Sequence, residues 1–265
     1  MKEFIGSPGN RSLSDNGKYI TAVKEAIENY EIFSNFKRDP RYKAILEHVT
    51  VDQGSAYLEI IQSESPMLLD KIGEFKVNDL IGGAETYSFE GVGDISPSTL
   101  RYLKVASDLR VFFGEDIGRV AEIGVGYGGQ LLIADRALLF SQYDLFDLPP
   151  VLVLTSKYLE SHILKSAYQT YTLNQHRGDV DYDLVISNYA FSELPSSLQE
   201  MYIKKILSKS KKGYLTMNSG KSDSAFQVDK LSISDLEQQL PEFDIFPELP
   251  LTHPGNYIIV WGHKP

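Results

Sequence analysis

A glycine-rich turn with a carboxylate in front of it is the part of this sequence best suited to chemistry. The run VAEIGVGYGG, residues 120–129, joins a short apolar strand to the start of an amphipathic segment. Glycines at 124, 126 and 128 let the backbone turn sharply and approach a ligand without side-chain collision, and the following helix would offer unpaired N–H donors. This combination predicts a cradle for a nucleotide cofactor.

The charge in front of the glycines favours one class of cofactor over another. Gly124, Gly126 and Gly129 also match the G-x-G-x-x-G fingerprint of dinucleotide-binding folds, in which a pyrophosphate lies on a helix N-terminus. Glu122 would repel a pyrophosphate, whereas it suits a ligand that carries an ammonium and a sulfonium group. S-adenosylmethionine is such a ligand, and we expect it to be the cofactor.

A second carboxylate, Asp147, ends the apolar strand of the run SQYDLFDLPP. The separation from Glu122 leaves room for one turn, one helix and one returning strand. A carboxylate at the carboxyl end of a strand can accept two hydrogen bonds from a ribose diol. Asp147 could instead cap a helix ahead of Leu148-Pro149-Pro150, and the two roles can coexist. Since nicotinamide cofactors also carry that ribose, Asp147 predicts a nucleoside site without choosing between the cofactors.

Composition and charge restrict the partners. The chain has 265 residues, of which 42% are hydrophobic, enough for one large α/β domain or for a domain with a helical cap. Its net charge of -10 argues against a protein that binds a phosphate backbone, because such proteins use clustered Lys and Arg. We therefore expect a small-molecule or glycan acceptor and no nucleic acid partner.

Two absences narrow the chemistry further. The sequence contains no cysteine, so disulfides, thiolate metal ligands and cysteine nucleophiles are excluded. Neither the N-terminal residues nor any later run has the length and apolarity of a signal peptide or of a membrane helix. We expect a cytoplasmic protein without membrane insertion, with a homodimer as one option for its assembly.

Helical spacing dominates residues 1–115. Apolar residues recur at helical intervals over 17–39, where Asp39-Pro40 stops the pattern. Further helical segments are predicted at 41–49, 56–63 and 66–75, and a glycine-rich loop is predicted at 82–93. Ser96 is a candidate N-cap for a helix that begins at Pro97 and ends at Gly114. We expect this region to form a helical cap that selects the substrate.

Beyond residue 118, strand-like and helix-like segments alternate, which is typical of a parallel sheet. Predicted strands cover 119–123, 142–146, 170–173, 182–187, 213–217, 243–246 and 257–261, and predicted helices cover 128–140, 150–165, 197–207 and 233–240. The short link HPGN before the last strand favours an antiparallel closing pair, because a parallel connection needs a longer crossover. We expect a doubly wound, Rossmann-like α/β domain over residues 116–265 with an antiparallel last strand.

These motifs resemble the class I adenosylmethionine-dependent methyltransferases, and within them the bacterial sugar O-methyltransferases. The runs that carry the likeness are VAEIGVGYGG, YDLFDLP, YDLVISNYAFSELPSSLQEMYIKKIL, GYLTMN and HPGNYIIVWG, and it extends over about residues 80–262. The resemblance implies a seven-stranded sheet in the order 3-2-1-4-5-7-6 with strand 7 antiparallel. It also implies S-adenosyl-L-methionine as methyl donor.

The resemblance further implies which residues contact the cofactor. Glu122 would hold the methionine amino end, Gly124 and Gly126 would line the methionine and the ribose, and Asp147 would bind the ribose hydroxyls. Asn174, just past the third strand, is a candidate for the adenine edge. The complete expected set is Glu122, Gly124, Gly126, Tyr127, Gly128, Asp147, Leu148, Asn174 and Asn188.

The motifs do not settle the general base. A more distant resemblance to plant small-molecule O-methyltransferases, which use a histidine after strand four, puts Ser192 at that position and Glu193 beside it. A serine cannot act as the base unaided, so the base comes from elsewhere, is Glu193, or is dispensable. His253 is our first choice, because it lies near the carboxyl edge of the sheet and imidazole titrates near neutral pH. It could instead cap a surface turn, and Glu193 could cap the helix that begins near Pro195.

Four residues are expected to contact the acceptor: Arg101, Tyr102, Tyr189 and Asn256. Arg101 and Tyr102 could equally form a solvated helix face, and Tyr189 could serve only for packing. No adjacent acidic pair follows the fourth strand, so we expect no metal. Methyl transfer to a sugar hydroxyl is the expected reaction. The alternatives are a non-catalytic protein that binds S-adenosylmethionine or serves in assembly, and a nicotinamide-dependent oxidoreductase.

Overall fold

The first part of the chain is mainly helical in the computed structural model, which describes residues 17–219 and 229–263. Its helices are α1 (Gly17–Glu28), α2 (Tyr30–Phe33), α3 (Pro40–Lys43), α4 (Val51–Glu64), α5 (Ile72–Phe75) and α6 (Pro97–Phe113). Short 3-10 turns at Phe36–Arg38, Pro66–Lys71 and Lys76–Asp79 connect some of them. An antiparallel hairpin of two short strands, β1 (Tyr87–Phe89) and β2 (Gly93–Ile95), precedes α6.

Several of the local predictions for this region differ from the structure. The helix predicted over 17–39 is broken at Asn29, whose side chain accepts hydrogen bonds from the N–H groups of Glu31 and Ile32 and so begins α2. The loop predicted over 82–93 contains β1 and the start of β2. The helix predicted over 41–49 is shorter than expected, because α3 ends at Lys43.

The helix predicted to begin at Pro97 is confirmed. Ser96 Oγ accepts a hydrogen bond from the N–H of Thr99 at 3.1 Å and donates one to Asp79 Oδ1 at 2.7 Å. Gly114 ends the helix in a backbone conformation with a φ of 85°. Both ends of α6 are therefore fixed, and α6 carries Arg101 and Tyr102 into the interior.

Beyond Gly114 the predicted alternation is confirmed. The elements are β3 (Asp116–Ile123), α7 (Gly129–Ala137), β4 (Leu139–Phe146), α8 (Pro149–Leu159), β5 (Tyr168–Tyr171), β6 (Tyr182–Asn188), α9 (Ser196–Lys205), β7 (Ser210–Met217), α10 (Ile233–Gln239), β8 (Asp244–Pro247) and β9 (Tyr257–Trp261). Within the described residues, β3 to β9 form one seven-stranded sheet in the order β5-β4-β3-β6-β7-β9-β8. Strand β9 is antiparallel to β7 and β8, and the other pairs are parallel. This is the doubly wound order 3-2-1-4-5-7-6 that the resemblance implied.

Alternation along the strands decides which polar residues face the cap. Val120 and Ile186 belong to the large hydrophobic cluster that also contains the buried residues of α1 and α6, whereas Ala121 belongs to the cluster on the other face of the sheet. Successive strand residues point to opposite faces. Glu122 and Asn188 therefore lie on the face that the helical region covers.

Candidate functional site

The glycine-rich turn leaves the carboxyl end of β3, beside the point where the strand order reverses between β3 and β6. Open α/β sheets bind ligands at such a point. Gly124, Gly126 and Gly128 have φ values of 77°, 56° and 90°. A Cβ atom would lie 2.0 Å from the Cβ of Ala190 at Gly124 and 2.9 Å from Leu46 Cδ1 at Gly126. The positive φ therefore favours glycine at all three positions, and the close approach to Ala190 also requires it at Gly124.

Asp147 holds this turn in place. Its Oδ2 accepts hydrogen bonds from the N–H of Val125 at 2.8 Å and of Gly126 at 3.3 Å, and its Oδ1 accepts one from Leu148 at 2.7 Å. Burial raises the pKa of Asp147 to about 6, although these N–H groups favour the ionised form. In a dinucleotide site the turn would bind a pyrophosphate with such N–H groups. Here a carboxylate accepts them, which disfavours a phosphate at the same place.

Glu122 is buried next to the turn and is 2% exposed. The hydroxyl of Tyr143 donates a hydrogen bond to its Oε2 at 2.7 Å. Burial raises the pKa of Glu122 to about 8, and the nearby charge of Asp147 adds to the shift. The side chain is therefore largely neutral at pH 7 until a cation approaches. An adjacent ammonium group would lower this pKa and would itself be held by the carboxylate.

Tyr127 anchors the turn to the helical region. Its ring is fully buried, with its centroid 4.9 Å from that of Tyr158, and Lys37 Nζ lies 4.3 Å from the ring centroid. The hydroxyl of Tyr127 accepts a hydrogen bond from Asn78 Nδ2 at 3.2 Å. The side chain is thus committed to packing, and Tyr127 can offer a ligand only its backbone.

The remaining expected cofactor residues lie in different surroundings. Leu148 is 36% exposed and occupies the N-cap position of α8, so Asp147 is not the N-cap itself. Asn174 is exposed in the turn after β5. Asn188 ends β6, and its Nδ2 donates to Gln130 Oε1 at 3.4 Å.

Gln130 is a candidate that the sequence did not reveal. It is 1% exposed in the first turn of α7, and its Nε2 donates to the carbonyl of Tyr102 at 3.2 Å. Together with its contact to Asn188, this bond ties β6, α7 and α6 to one another. One feature of the sequence could have indicated Gln130: its polar amide side chain comes directly after the last glycine of the turn.

Ser192 and Glu193 lie in the 3-10 turn Ala190–Glu193 that follows β6. Ser192 Oγ donates to the carbonyl of Tyr189 at 2.6 Å and accepts from the N–H of Asn218 at 2.9 Å, so it supports the backbone. Glu193 Oε1 accepts from Asn218 Nδ2 at 2.9 Å, and burial raises the pKa of Glu193 to about 7. The N-cap of α9 is Pro195, so Glu193 lies outside the capping position.

His253 lies in the connection between β8 and β9, where its side chain is exposed. It lines neither of the two cavities described below. Asn256 is buried in the same connection: its Oδ1 accepts from the N–H of Ser219 at 2.9 Å, and its Nδ2 donates to Thr252 Oγ1 at 3.2 Å. Asn256 therefore ties the connection to the end of β7.

A cavity of about 20 Å³, here called the β6–β7 cavity, lies beside the carboxyl ends of these two strands. That volume holds about one water-sized group. Its lining includes Arg101, Tyr102, Gln130, Asn188, Tyr189 and Glu248. The structure thus brings together three of the four residues expected to contact the acceptor, all except Asn256.

Tyr189 has an unusual backbone conformation at this cavity. Its φ of 66° is the only positive value for a residue other than glycine among the described residues. A bulky side chain rarely adopts this conformation, and such strain is concentrated at functional sites. The hydroxyl of Tyr189 donates to Glu248 Oε1. Glu248 gave no signal in the sequence, because a single acidic residue in a proline-rich connection matches no motif.

A larger cleft of about 310 Å³, here called the cap cleft, opens in the helical region. Lys37, Lys43, Glu47, His48 and Glu85 line it, together with the start of α6. Leu46 packs on Gly126 from the segment that forms one wall of the cleft. Its size suits a small ligand.

Two features are absent from residues 17–219 and 229–263. No group of three or more His, Asp or Glu residues there is arranged to hold a metal ion. No helix there combines the length and apolarity needed to cross a membrane.

No protein-family model and no curated protein matches this sequence. Among solved structures, N-methyltransferase NodS from Bradyrhizobium japonicum is 8% identical, with a TM-score of 0.47 over 62% of this chain and 95% of that chain. The N-terminal domain of EvdMO1 with SAH bound is 15% identical, with a TM-score of 0.45 over 74% of this chain and 94% of that chain. A S-adenosylmethionine-dependent methyltransferase from Clostridium acetobutylicum is 10% identical, with a TM-score of 0.45 over 60% and 88%. At such values the likeness assigns this chain neither a cofactor nor an acceptor.

Proposed function

We propose that this chain is an S-adenosylmethionine-dependent methyltransferase that methylates a hydroxyl group of a sugar. The observation that carries the proposal is the acidic surroundings of the glycine turn. Glu122 is buried beside the turn, and Asp147 accepts the turn's N–H groups. Ionised Asp147 repels a pyrophosphate, and Glu122, which ionises when a cation approaches, adds to the attraction for a cationic ligand.

The residues of the cradle suit the parts of S-adenosylmethionine. Glu122 would hold the ammonium group, and the glycines would let the backbone approach the methionine and the ribose. Asp147 would accept hydrogen bonds from the ribose diol. A carboxylate offers about four acceptor positions, and three are used by Val125, Gly126 and Leu148, so the diol would displace at least one of these N–H donors.

The bound cofactor supplies a methyl group on a cationic sulfur. The protein then has to hold the acceptor oxygen in line with that methyl group and keep water away, and orientation of this kind supplies about 7–11 kcal/mol of the barrier. Residues of the helical cap, proposed to comprise residues 1–115, lie against the site: Leu46 packs on Gly126, and Arg101 Nη2 donates to the carbonyl of Leu46 at 3.2 Å. We assign the choice of acceptor to this region.

A few polar side chains in the mainly apolar lining of the β6–β7 cavity support a hydroxyl-bearing acceptor. Arg101 is a donor, Glu248 is an acceptor, and the amides of Gln130 and Asn188 are both. For the general base, Glu193 and His253 are the candidates from the sequence, and Ser192 acts by supporting the backbone. We further propose that the acceptor is a glycan or another small molecule and not a nucleic acid. The protein is proposed to be cytoplasmic and to form a homodimer.

Calorimetric titration separates this proposal from a nicotinamide-dependent oxidoreductase. We expect S-adenosylmethionine and S-adenosylhomocysteine to bind and NADH not to bind. Glu122→Gln should weaken the binding of S-adenosylhomocysteine. Glu237→Gln changes an exposed residue of α10 and should leave this binding unchanged. Saturation by NADH alone would refute the proposal.

Transfer of a labelled methyl group tests the reaction. The protein is incubated with S-adenosylmethionine labelled in the methyl group and with panels of free sugars, nucleotide sugars and glycolipids. Label in a sugar product is the expected result. Binding of the cofactor without transfer to any member would favour the non-catalytic alternative, and label in a nitrogen-methylated product would refute the hydroxyl acceptor.

A further inference from the structure

We propose that Tyr189 and Glu248 form the pair that accepts the proton of the acceptor hydroxyl. Tyr189 contacts the acceptor, and Glu248 receives the proton through Tyr189. The inference rests on the proposed methyltransferase function and names residues that perform its proton transfer.

The backbone of Tyr189 is held in its strained conformation from several sides. Its N–H donates to the carbonyl of Thr216 at 2.9 Å. Its carbonyl accepts from the N–H of Ser192 at 2.9 Å and from Ser192 Oγ at 2.6 Å. The surroundings therefore impose a positive φ on a tyrosine, which marks a side chain whose direction matters. That direction brings the phenol to Glu248, in the lining of the β6–β7 cavity.

Glu248 is placed as a proton acceptor. It is 4% exposed, and its carboxylate accepts from the hydroxyl of Tyr189, from the N–H of Thr252 at 2.8 Å and from Thr252 Oγ1 at 2.7 Å. Among residues 17–219 and 229–263, no lysine or arginine forms an ion pair with it.

The pair lies next to the cofactor cradle. Gln130, at the start of the helix that follows the glycine turn, and Asn188, at the end of the neighbouring strand, line the same cavity as Tyr189 and Glu248. The cavity has room for about one hydroxyl-sized group. An acceptor hydroxyl in this cavity would therefore lie beside Gln130 and Asn188 as well as Tyr189.

Of the three candidate carboxylate or imidazole bases, only Glu248 lines this cavity. Glu193 accepts a hydrogen bond from Asn218 and is not part of the lining, and His253 is exposed in the β8–β9 connection. We choose Glu248 because it lines the cavity, and a base must reach the proton that it removes.

The proposed step balances in atoms and charge. The acceptor oxygen forms a bond to the methyl carbon while the bond from that carbon to sulfur breaks, and its electron pair remains on sulfur. The acceptor proton passes to the oxygen of Tyr189 as the proton of Tyr189 passes to Glu248. The products are a methyl ether, a neutral thioether and a protonated Glu248, which returns its proton to solvent after release.

The first test needs no substrate. Tyrosine labelled with ¹³C at Cζ is incorporated, and Tyr189→Phe identifies the Tyr189 signal by its loss. We expect Glu248→Gln to shift this signal, because an amide replaces the carboxylate that accepts the hydroxyl. Glu237→Gln should leave it in place. An unchanged signal in Glu248→Gln would overturn the inference.

The second test measures the rate. With the best acceptor of the sugar panel, Tyr189→Phe and Glu248→Gln should each lower kcat by about 100-fold or more, the usual contribution of a positioned base. The affinity for S-adenosylhomocysteine should change less than threefold. The matched controls are Tyr168→Phe, on the edge strand β5, and Glu237→Gln, and both should retain kcat.

The solvent deuterium isotope effect on kcat separates proton transfer from a structural role. Loss of Glu248 as proton acceptor should lower kcat and change this isotope effect, whereas a purely structural defect would lower kcat and leave the isotope effect as in the wild type. Unchanged kcat in both variants, with the cofactor bound and methyl transferred, would overturn the inference alone. A wild-type protein that does not bind S-adenosylhomocysteine would instead overturn the proposed function on which the inference rests.

Discussion

Glu122 should make cofactor binding strongly dependent on pH. In the free protein its carboxyl group is buried, and burial raises its pKa to about 8. Because the pKa is raised, the group is mostly neutral below pH 8, and only the ionised form attracts the ammonium group of the ligand. The affinity for S-adenosylhomocysteine should therefore rise with pH, provided that Glu122 is the partner of this ammonium group.

The magnitude follows from the two carboxyl groups of the cradle. Between pH 6 and pH 7.5 the ionised fraction of Glu122 increases about 20-fold for its pKa of about 8. Asp147, with a pKa of about 6, adds about a factor of two over the same interval. The Kd of S-adenosylhomocysteine should thus fall about 40-fold, which corresponds to roughly 2 kcal/mol.

Isothermal titration calorimetry at four pH values between 6 and 7.5 measures this change. Glu122→Gln should bind more weakly at pH 7.5 and keep only the twofold change that Asp147 supplies. Glu237→Gln should follow the wild type at every pH. Experiments in two buffers of different ionisation enthalpy should show release of slightly more than one proton per ligand at pH 6.5 in the wild type and in Glu237→Gln, and of about a quarter of a proton in Glu122→Gln. A Kd that is independent of pH, or an equal slope in Glu122→Gln, would refute this reasoning.

Three further changes have defined outcomes. Gly124→Ala should abolish binding of S-adenosylhomocysteine and lower the melting temperature, because the new Cβ would lie 2.0 Å from Ala190 at a φ of 77°; normal binding in calorimetry would contradict the tight fit of the turn. Asp147→Asn should weaken the binding of S-adenosylhomocysteine about 10- to 100-fold, which is the usual contribution of a hydrogen bond to a charged group. An unchanged Kd would show that Asp147 does not bind the ribose. The free energy of unfolding in urea should fall as pH rises from 5 through 8, because Glu122 is stabilised in its neutral form, and this fall should be smaller in Glu122→Gln.

Much of the fold could be predicted from local patterns. The stop at Asp39-Pro40 is real: Asp39 caps α3 by accepting a hydrogen bond from the N–H of Arg41 at 2.8 Å. The start of α6 at Pro97 likewise follows from cap chemistry that acts over a few residues. Such local patterns predict the folded structure well because they do not depend on residues that are far apart in the sequence.

The errors arose where competing local signals had similar strength. The apolar periodicity over residues 17–39 predicts one helix, but Asn29 interrupts it. An asparagine side chain can be placed inside a helix, and it can also accept hydrogen bonds from nearby backbone N–H groups, as it does here. The β1–β2 hairpin was hidden because glycines interrupt the strand-forming residues of this segment, and Gly91 and Gly93 supply its turn with φ values of 79° and 70°.

The sequence predicted the site only where the functional residues belong to one continuous segment. The glycine turn and Glu122 are contiguous in sequence, so their meeting is certain once the turn forms. Glu248 and Tyr189 are 59 residues apart and meet only because β8 and β9 lie at the end of the sheet next to β7. Gln130 and Tyr102 meet in the same way, through the packing of α6 on α7.

A crystal structure of the protein with S-adenosylhomocysteine bound tests most directly whether the acidic glycine turn holds this class of cofactor. We expect the amino nitrogen within hydrogen-bond distance of Glu122 and the ribose hydroxyls within hydrogen-bond distance of Asp147. Density for the ligand elsewhere, or for the pyrophosphate of NADH on the N–H groups of Val125 and Gly126 in a parallel soak, would contradict it.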